Sequence, residues 1–349
     1  MQGRNSKRSC ALWARGIAAP CAALALVVAA SARPAAAAPF AYVANFHSNT
    51  VSVLDTASNT VVATVAVGTF PVAVAITPDG KHAYVVKQNF RGTGTVSVIA
   101  TATNKVVATV TVGRLPYGVA VTPDGKHAYV TNALDGTVSV IDTASNTVVA
   151  TVPVGGQPYG VAVTPDGTHA YLTNALDDTV SVIDIASNTV VATVPVGINP
   201  YAVAVTPDGT HAYVTTLGTL PGTVSVIDTS TNTVVATVAV GVEPEGVAVT
   251  PDGKHAYVVN NFGDTVSVIG TATNTVVATV LVGGQPYGVA ITPDGKRAYV
   301  TNGPNTVSVI ATASNAVVGL PIPVGTEPLG IGITPPPPRR ICGFRLCDP

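Results

Sequence analysis

A unit of about 42 residues is written seven times along this chain, and that repetition limits the folds open to it. The tetrapeptide Thr-Pro-Asp-Gly stands at Thr77–Gly80, Thr122–Gly125, Thr164–Gly167, Thr206–Gly209, Thr250–Gly253 and Thr292–Gly295, with a degenerate seventh copy at Thr334-Pro335-Pro336. Its prolines are separated by 45, 42, 42, 44, 42 and 42 residues. An Ala-Tyr pair recurs seven times, at Tyr42, Tyr84, Tyr129, Tyr171, Tyr213, Tyr257 and Tyr299. A Val-Ser-Val triplet keeps step with it, centred on Ser52, Ser97, Ser139, Ser181, Ser225, Ser267 and Ser308.

One unit, read from Gly155, holds four short β-rich runs: Tyr159–Thr164, His169–Asn174, Thr179–Asp184 and Thr189–Val194. Val, Ile, Thr and Tyr suit a pleated, half-buried surface. Pro-Asp-Gly presets a tight turn between the first two runs, and Ala-Ser-Asn between the last two offers side-chain caps and tolerates a left-handed residue. Helical spacing is absent. Four strands per unit of about 40 residues is the signature of a propeller blade, and seven units predict seven blades.

The ends of the repeat array sharpen this expectation. The array begins in mid-unit, at the second strand (Ala41–Asn45), and ends on an unmatched first strand, Leu329–Thr334. The C-terminal strand is therefore expected to complete the N-terminal blade, removing two exposed sheet edges. The fold class predicted is all-β: a seven-bladed β-propeller of four-stranded antiparallel blades, closed by that clasp. A parallel β-helix is the competing fold, but its rungs are usually shorter and give no reason for split-unit ends.

Composition fits this reading. The chain is 47% hydrophobic and only 10% charged, against about 25% charged in an average globular chain. Residues 1–38 are distinct: a basic start (Arg4, Lys7, Arg8, Arg15), an apolar stretch from Gly16 to Ala30, then small residues to Ala38. That is the layout of a secretory signal peptide, with cleavage after Ala32 or one of Ala36 to Ala38; an uncleaved anchor is the competing reading. Removal of the segment leaves 12 basic and 18 acidic side chains. The expected organisation is signal peptide 1–38, propeller 39–334, and a proline-rich tail 335–349 in which Cys342 and Cys347 form a local disulfide in an exported protein.

The second strands carry a family resemblance. Tyr129–Asn132 and Tyr299–Asn302 spell YVTN, and Tyr42–Asn45, Tyr171–Asn174 and Tyr257–Asn260 are close variants. Over about residues 41 to 334 the chain resembles the YVTN-repeat propellers, including archaeal surface-layer repeat proteins and exported bacterial propellers of the YncE type. The resemblance implies a seven-bladed propeller outside the cytoplasm (periplasmic, cell-surface or secreted). It implies much less about activity, because such folds host many functions.

The repeated polar residues read as structural. His82, His127, His169, His211 and His255 share one repeat position, whereas a catalytic base is usually singular. The Thr-Pro-Asp-Gly aspartates are turn residues. The Val-Ser-Val serines lack a nucleophile-elbow context and are expected to fit blade against blade. No P-loop, GxGxxG, HExxH, EF-hand or CxxC motif occurs, and no cofactor or metal is expected.

Function is expected where the copies differ. In an antiparallel blade the first-to-second and third-to-fourth turns share one face, and here they are nearly uniform. The second-to-third loops and the blade connections share the other face, and they diverge. The residue after the connection proline should ring the channel mouth: Val72, Tyr117, Tyr159, Tyr201, Glu245, Tyr287 and Leu329. Before the proline stand Phe70, Arg114, Gln157, Asn199, Glu243, Gln285 and Glu327. The binding residues expected are Tyr117, Tyr159, Tyr201, Tyr287, Glu243, Glu245, Arg114, Gln157, Asn199 and Gln285, a polar-aromatic surface for an unknown protein, glycan or small ligand.

Three function classes compete. A non-enzymatic exported binding or scaffold module fits the uniform repeats. A metal-dependent hydrolase or lactonase-like propeller would draw oxygen ligands from Glu243, Glu245, Glu327 and Asn199. DNA binding, which YncE-like resemblance suggests, would need a basic face. Without its tail the propeller has 9 basic and 17 acidic residues, and Lys87, Arg91 and Arg114 are the only basic cluster on the variable face, so nucleic acid is disfavoured.

Overall fold

The computed structural model describes residues 39–336 and the backbone of 341–342 and 345–346. Seven four-stranded antiparallel sheets radiate from a central channel. Blade IV is typical, with Pro158–Val163 innermost, then His169–Asn174, Thr179–Asp184 and Thr189–Pro195 outermost. Blades II, III, V, VI and VII begin their innermost strands at Pro71, Pro116, Pro200, Pro244 and Pro286. Blade I combines Phe40–Asn45, Thr50–Asp55 and Thr60–Ala66 with the C-terminal strand Pro328–Ile333. The innermost strands touch one another in sequence, Pro328–Ile333 lying between those of blades VII and II, so the ring is closed.

The clasp is a complete strand pairing. Ala41 opposes Ile333, Tyr42 opposes Gly332 and Val43 opposes Ile331. The Thr334 amide donates to the Phe40 carbonyl at 2.9 Å, and the Phe40 amide donates to Thr334 Oγ1 at 2.8 Å. The proposed signal segment and Cys347 lie outside the described residues. In the tail, Ile341–Cys342 pairs with Arg345–Leu346 as two short antiparallel strands.

Burial follows strand position. Second and third strands are almost wholly buried, because their two faces pack on the flanking blades. Outermost strands alternate toward solvent; Val149 and Val191 stand 55% and 54% exposed on them. In blade VII the outermost strand is broken into Ala316–Val317 and Ile322–Pro323 around Gly319, whose φ is +75°.

The repeated polar residues bind the blades together. Each Ala-Tyr tyrosine is buried and donates its phenol proton to an asparagine of a neighbouring blade's third-to-fourth turn. Tyr42 reaches Asn104, Tyr84 reaches Asn146, Tyr129 reaches Asn188, and so on to Tyr299, which reaches Asn59 across the closure. Those asparagines adopt φ between 50° and 55°, the left-handed conformation the Ala-Ser-Asn turn was expected to tolerate. The YVTN asparagines brace their own blade and tie it to the preceding connection: Asn132 donates to Ser139 Oγ at 3.0 Å and Thr137 Oγ1 at 3.1 Å, and its Oδ1 accepts from the Gly113 amide at 3.0 Å. The Val-Ser-Val serine thus packs small and also serves as an acceptor. Tyr129→Phe keeps the ring and orphans the Asn188 carbonyl oxygen, so we expect a loss of about 1 kcal/mol in urea unfolding. An unchanged midpoint would contradict this role.

The uniform face is held by its own turn chemistry. Thr122 Oγ1 donates to Asp124 Oδ1 at 2.6 Å, and the Lys126 amide donates to the same oxygen at 3.0 Å. The Thr122 hydroxyl, with that amide, holds the Asp124 carboxyl below its ordinary range. The repeat histidines are half-buried strand-start residues, as expected.

A candidate ligand pocket at the channel mouth

Each blade connection ends in a residue of left-handed conformation followed by proline: Phe70, Leu115, Gln157, Asn199, Glu243, Gln285 and Glu327, with φ between 48° and 55°. Their carbonyls accept backbone bonds from the second-to-third loops, as Gln157 does from the Ala175 amide at 3.1 Å and Glu243 from the Asn261 amide at 2.9 Å. This clip fixes where the next residue starts the innermost strand. The expectation for Arg114 is corrected: Arg114 stands two residues before Pro116, and Leu115, directly before that proline, holds this position in blade III. The outermost strand of blade II is ten residues long, Lys105–Arg114, and takes Arg114 as its last member.

The residues after the prolines meet at the centre. Val72, Tyr117, Tyr159, Tyr201, Glu245, Tyr287 and Leu329, one from each blade, line a single cavity of ≈ 400 Å³ together with Phe46, Gln88 and Glu327. The rings of Tyr117 and Tyr159 are 4.6 Å apart, Tyr159 and Tyr201 5.4 Å, and Tyr117 and Tyr201 5.6 Å. The Tyr117 and Tyr201 hydroxyls are hydrogen-bonded to each other. Burial pushes both phenols well above their ordinary range.

Glu245 is the anomalous member. The residue is only 8% exposed, and among the described residues no hydrogen bond to its carboxyl group is formed. Burial, reinforced by the nearby Glu243 carboxylate, pushes its pKa up to about 8. Glu243, Glu245 and Glu327 all act on Tyr287, raising its phenol further after burial has done so, which places the three carboxylates round one mouth. Glu327 is paired with His47.

The other expected binding residues sit around the rim rather than in the pocket. Arg114 is exposed and pairs through Nε with Asp135 at 2.6 Å. Gln157, Asn199 and Glu243 are half-buried, and Gln285 is exposed. The rim aspartates are occupied by backbone amides: Asp177 accepts from Gly156 at 2.7 Å, Asp178 from Asn199 at 2.8 Å and Asp264 from Gln285 at 2.8 Å. Phe46 and Gln88 were not among the expected site residues; only the second-to-third loops, which vary in length, bring them inward. The Gly that follows the tyrosine in Pro-Tyr-Gly is a further lining position. A Cβ at Gly160 would lie 2.7 Å from the Tyr201 carbonyl oxygen and 2.8 Å from Ala202 Cα, so glycine allows the innermost strands their close approach.

Fold and site together define a seven-bladed β-propeller whose channel mouth is closed into a ligand-sized aromatic pocket. The sequence profile of the YncE-like β-propeller family matches residues 125–220 and 209–318, and the chain belongs to that family. Among solved structures it is similar to hydrazine synthase of Kuenenia stuttgartiensis, at 25% identity, TM-score 0.69, over 76% of this chain and 90% of that one. A functionally unknown protein of Desulfotomaculum acetoxidans aligns at 22% identity and TM-score 0.74, over 85% of this chain and 99% of that one. A provisionally assigned 6-phosphogluconolactonase of Bacteroides uniformis aligns at 18% identity and TM-score 0.72, over 85% and 99%. The last two likenesses are of fold alone. No curated protein matches the chain.

Proposed function

We propose that the protein is an exported, non-enzymatic binding module at the cell envelope or outside the cell, and that it binds through the variable face, centred on the channel-mouth pocket. The observation that carries this reading is the contrast between faces. Thr-Pro-Asp-Gly turns repeat with one geometry on the uniform face, whereas seven innermost strands contribute tyrosine, glutamate and aliphatic side chains to one concavity on the other. Concave, mostly apolar sites with a few convergent polar groups are where ligands bind. Export rests on the three-part layout of residues 1–38.

A hydrolase reading would use the same carboxylates. Among the described residues Glu243, Glu245 and Glu327 are not assembled into a metal-ligand cluster. Likeness of fold to a provisionally assigned lactonase does not carry an activity to this chain.

The test is capture from a native envelope extract by the wild type beside a Tyr159→Leu/Tyr201→Leu variant. These rings pack on each other at the mouth, not in the blade-to-blade core, so the variant is expected to melt within a few degrees of wild type while losing its partner. Full retention of the partner by the variant would refute the site.

A further inference from the structure

We propose that the channel-mouth pocket binds a small protonated amine, its ammonium donating to the Glu245 carboxylate and its carbon body lying against the tyrosine rings. This rests on the proposed binding role of the variable face and names the ligand class.

Three independent observations converge on that chemistry. The first is the state of Glu245. A buried carboxyl group normally keeps hydrogen-bond partners, because an unpaired buried polar group is costly. Glu245 is only 8% exposed, lines the cavity, and among the described residues receives no hydrogen bond on its carboxyl group, whose oxygens open onto the cavity instead of being sealed in protein. A ligand with N–H donors supplies what the protein withholds.

The second is the sign of the site. The cavity is lined by two carboxylates, Glu245 and Glu327, and by no lysine, arginine or histidine. A concave site with walls of one sign concentrates the opposite charge. An anion such as a phosphorylated sugar acid would meet the Glu245 carboxyl with no cation among the lining residues to balance it, the neighbouring His47 being already paired with Glu327.

The third is the aromatic lining. Tyr117, Tyr159, Tyr201 and Tyr287 come from four blades and border one cavity. The faces of such rings carry negative potential and attract ammonium groups, at about 0.5–2 kcal/mol each. Their edges and the neighbouring Val72 and Leu329 favour an apolar body.

The proton balance is simple. In the empty pocket burial holds Glu245 toward its acid form. On entry of an ammonium the carboxyl proton leaves to solvent and the ion pair forms. The titratable groups round Glu245 are Glu243, the four tyrosine phenols, and Glu327 with its partner His47.

The experiment is calorimetric titration of the full chain with three probes that share one ring and differ in charge: 2-phenylethylamine, 2-phenylethanol and phenylacetate. The amine should bind at least tenfold more tightly than the alcohol, and phenylacetate should not bind. Glu245→Gln should abolish the preference for amine over alcohol while retaining alcohol binding. Tyr159→Leu should weaken both. Equal binding of amine and alcohol by the wild type, or a preference that survives Glu245→Gln, would overturn the amine assignment and leave the pocket a binding site of another class. Failure of all three probes to bind at millimolar concentration would also overturn it; partner capture by the Tyr159→Leu/Tyr201→Leu variant decides the broader binding role separately.

Discussion

Deleting residues 326–349 is expected to destroy cooperative folding of the whole propeller rather than to fray one end. The strand Pro328–Ile333 is the innermost strand of blade I and lies between the innermost strands of blades VII and II along the channel. Its loss strips Phe40–Asn45 of its partner and exposes the core of Ala41, Val43, Leu54, Tyr299 and Val307, against which Ile331 and Ile333 pack. Leu329, Ile331 and Ile333 are half-buried, so each contributes less than the ~1.5–3 kcal/mol of a fully buried aliphatic side chain. Their loss, together with exposure of the fully buried residues beneath them, is large against the stability of an ordinary domain, roughly 5–15 kcal/mol. Insolubility or a melting point lowered by more than ten degrees is the expected outcome. A circular permutant guards against a trivial loss of solubility. It places residues 328–334 ahead of Phe40 through the Pro-Asp-Gly-Lys turn that joins Thr77 to His82 in blade II. It should melt close to the full-length chain. Unchanged melting of the truncated chain, or failure of the permutant to recover, would refute the clasp.

The second large effect concerns Glu245 and pH. An unfolded glutamate carboxyl ionises near 4.5, whereas in the folded pocket burial moves the value to about 8. Between these values the unfolded chain has released a proton that the folded chain keeps, so stability falls as pH rises. The favourable contribution is fully present below about pH 4.5 and fully lost above about pH 8. At about 1.4 kcal/mol per pKa unit the swing is on the order of 5 kcal/mol, less whatever water entering the pocket recovers. Glu245→Gln keeps the shape and removes the ionisation. Its unfolding free energy should match wild type near pH 4.5 and exceed it by several kcal/mol at pH 8.5. Equal stability of the two proteins at pH 8.5 would mean that the carboxylate is solvated or paired after all.

Much of this architecture is legible in the sequence because a propeller repeats its instructions. Seven phased copies of Thr-Pro-Asp-Gly, Ala-Tyr and Val-Ser-Val state the number of blades, the strand order and, through the unmatched ends, the closure. Phase also suffices to predict that Val72, Tyr117, Tyr159, Tyr201, Glu245, Tyr287 and Leu329 share one ring, as they do. Three features needed the third dimension. Arg114 ends the outermost strand of blade II and pairs with Asp135 on the rim, a side-chain placement that motif spacing does not record. The left-handed residues before the prolines take their role from carbonyls that clip the second-to-third loops, so Gln157, Asn199 and Glu243 do backbone work that their side chains do not announce. The isolation of Glu245 is a statement about which donors are missing around it, and no single sequence position encodes that.

The same reasoning explains why the low charge of the chain is informative. Most acids sit in turns where a neighbouring amide or hydroxyl donates to their carboxylate, as Asp124 and Asp177 show on opposite faces. Glu245 is set apart by having no such donor, and the pocket is built round it.

Hydrogen exchange on the wild type with and without its captured ligand is the most direct test of the claim that function resides at the channel mouth. Protection is expected in the connections and strand starts at 70–72, 115–117, 157–159, 199–201, 243–245 and 285–287, with the Thr-Pro-Asp-Gly turns unchanged. Protection confined to those turns, with the channel mouth exchanging as before, would contradict it.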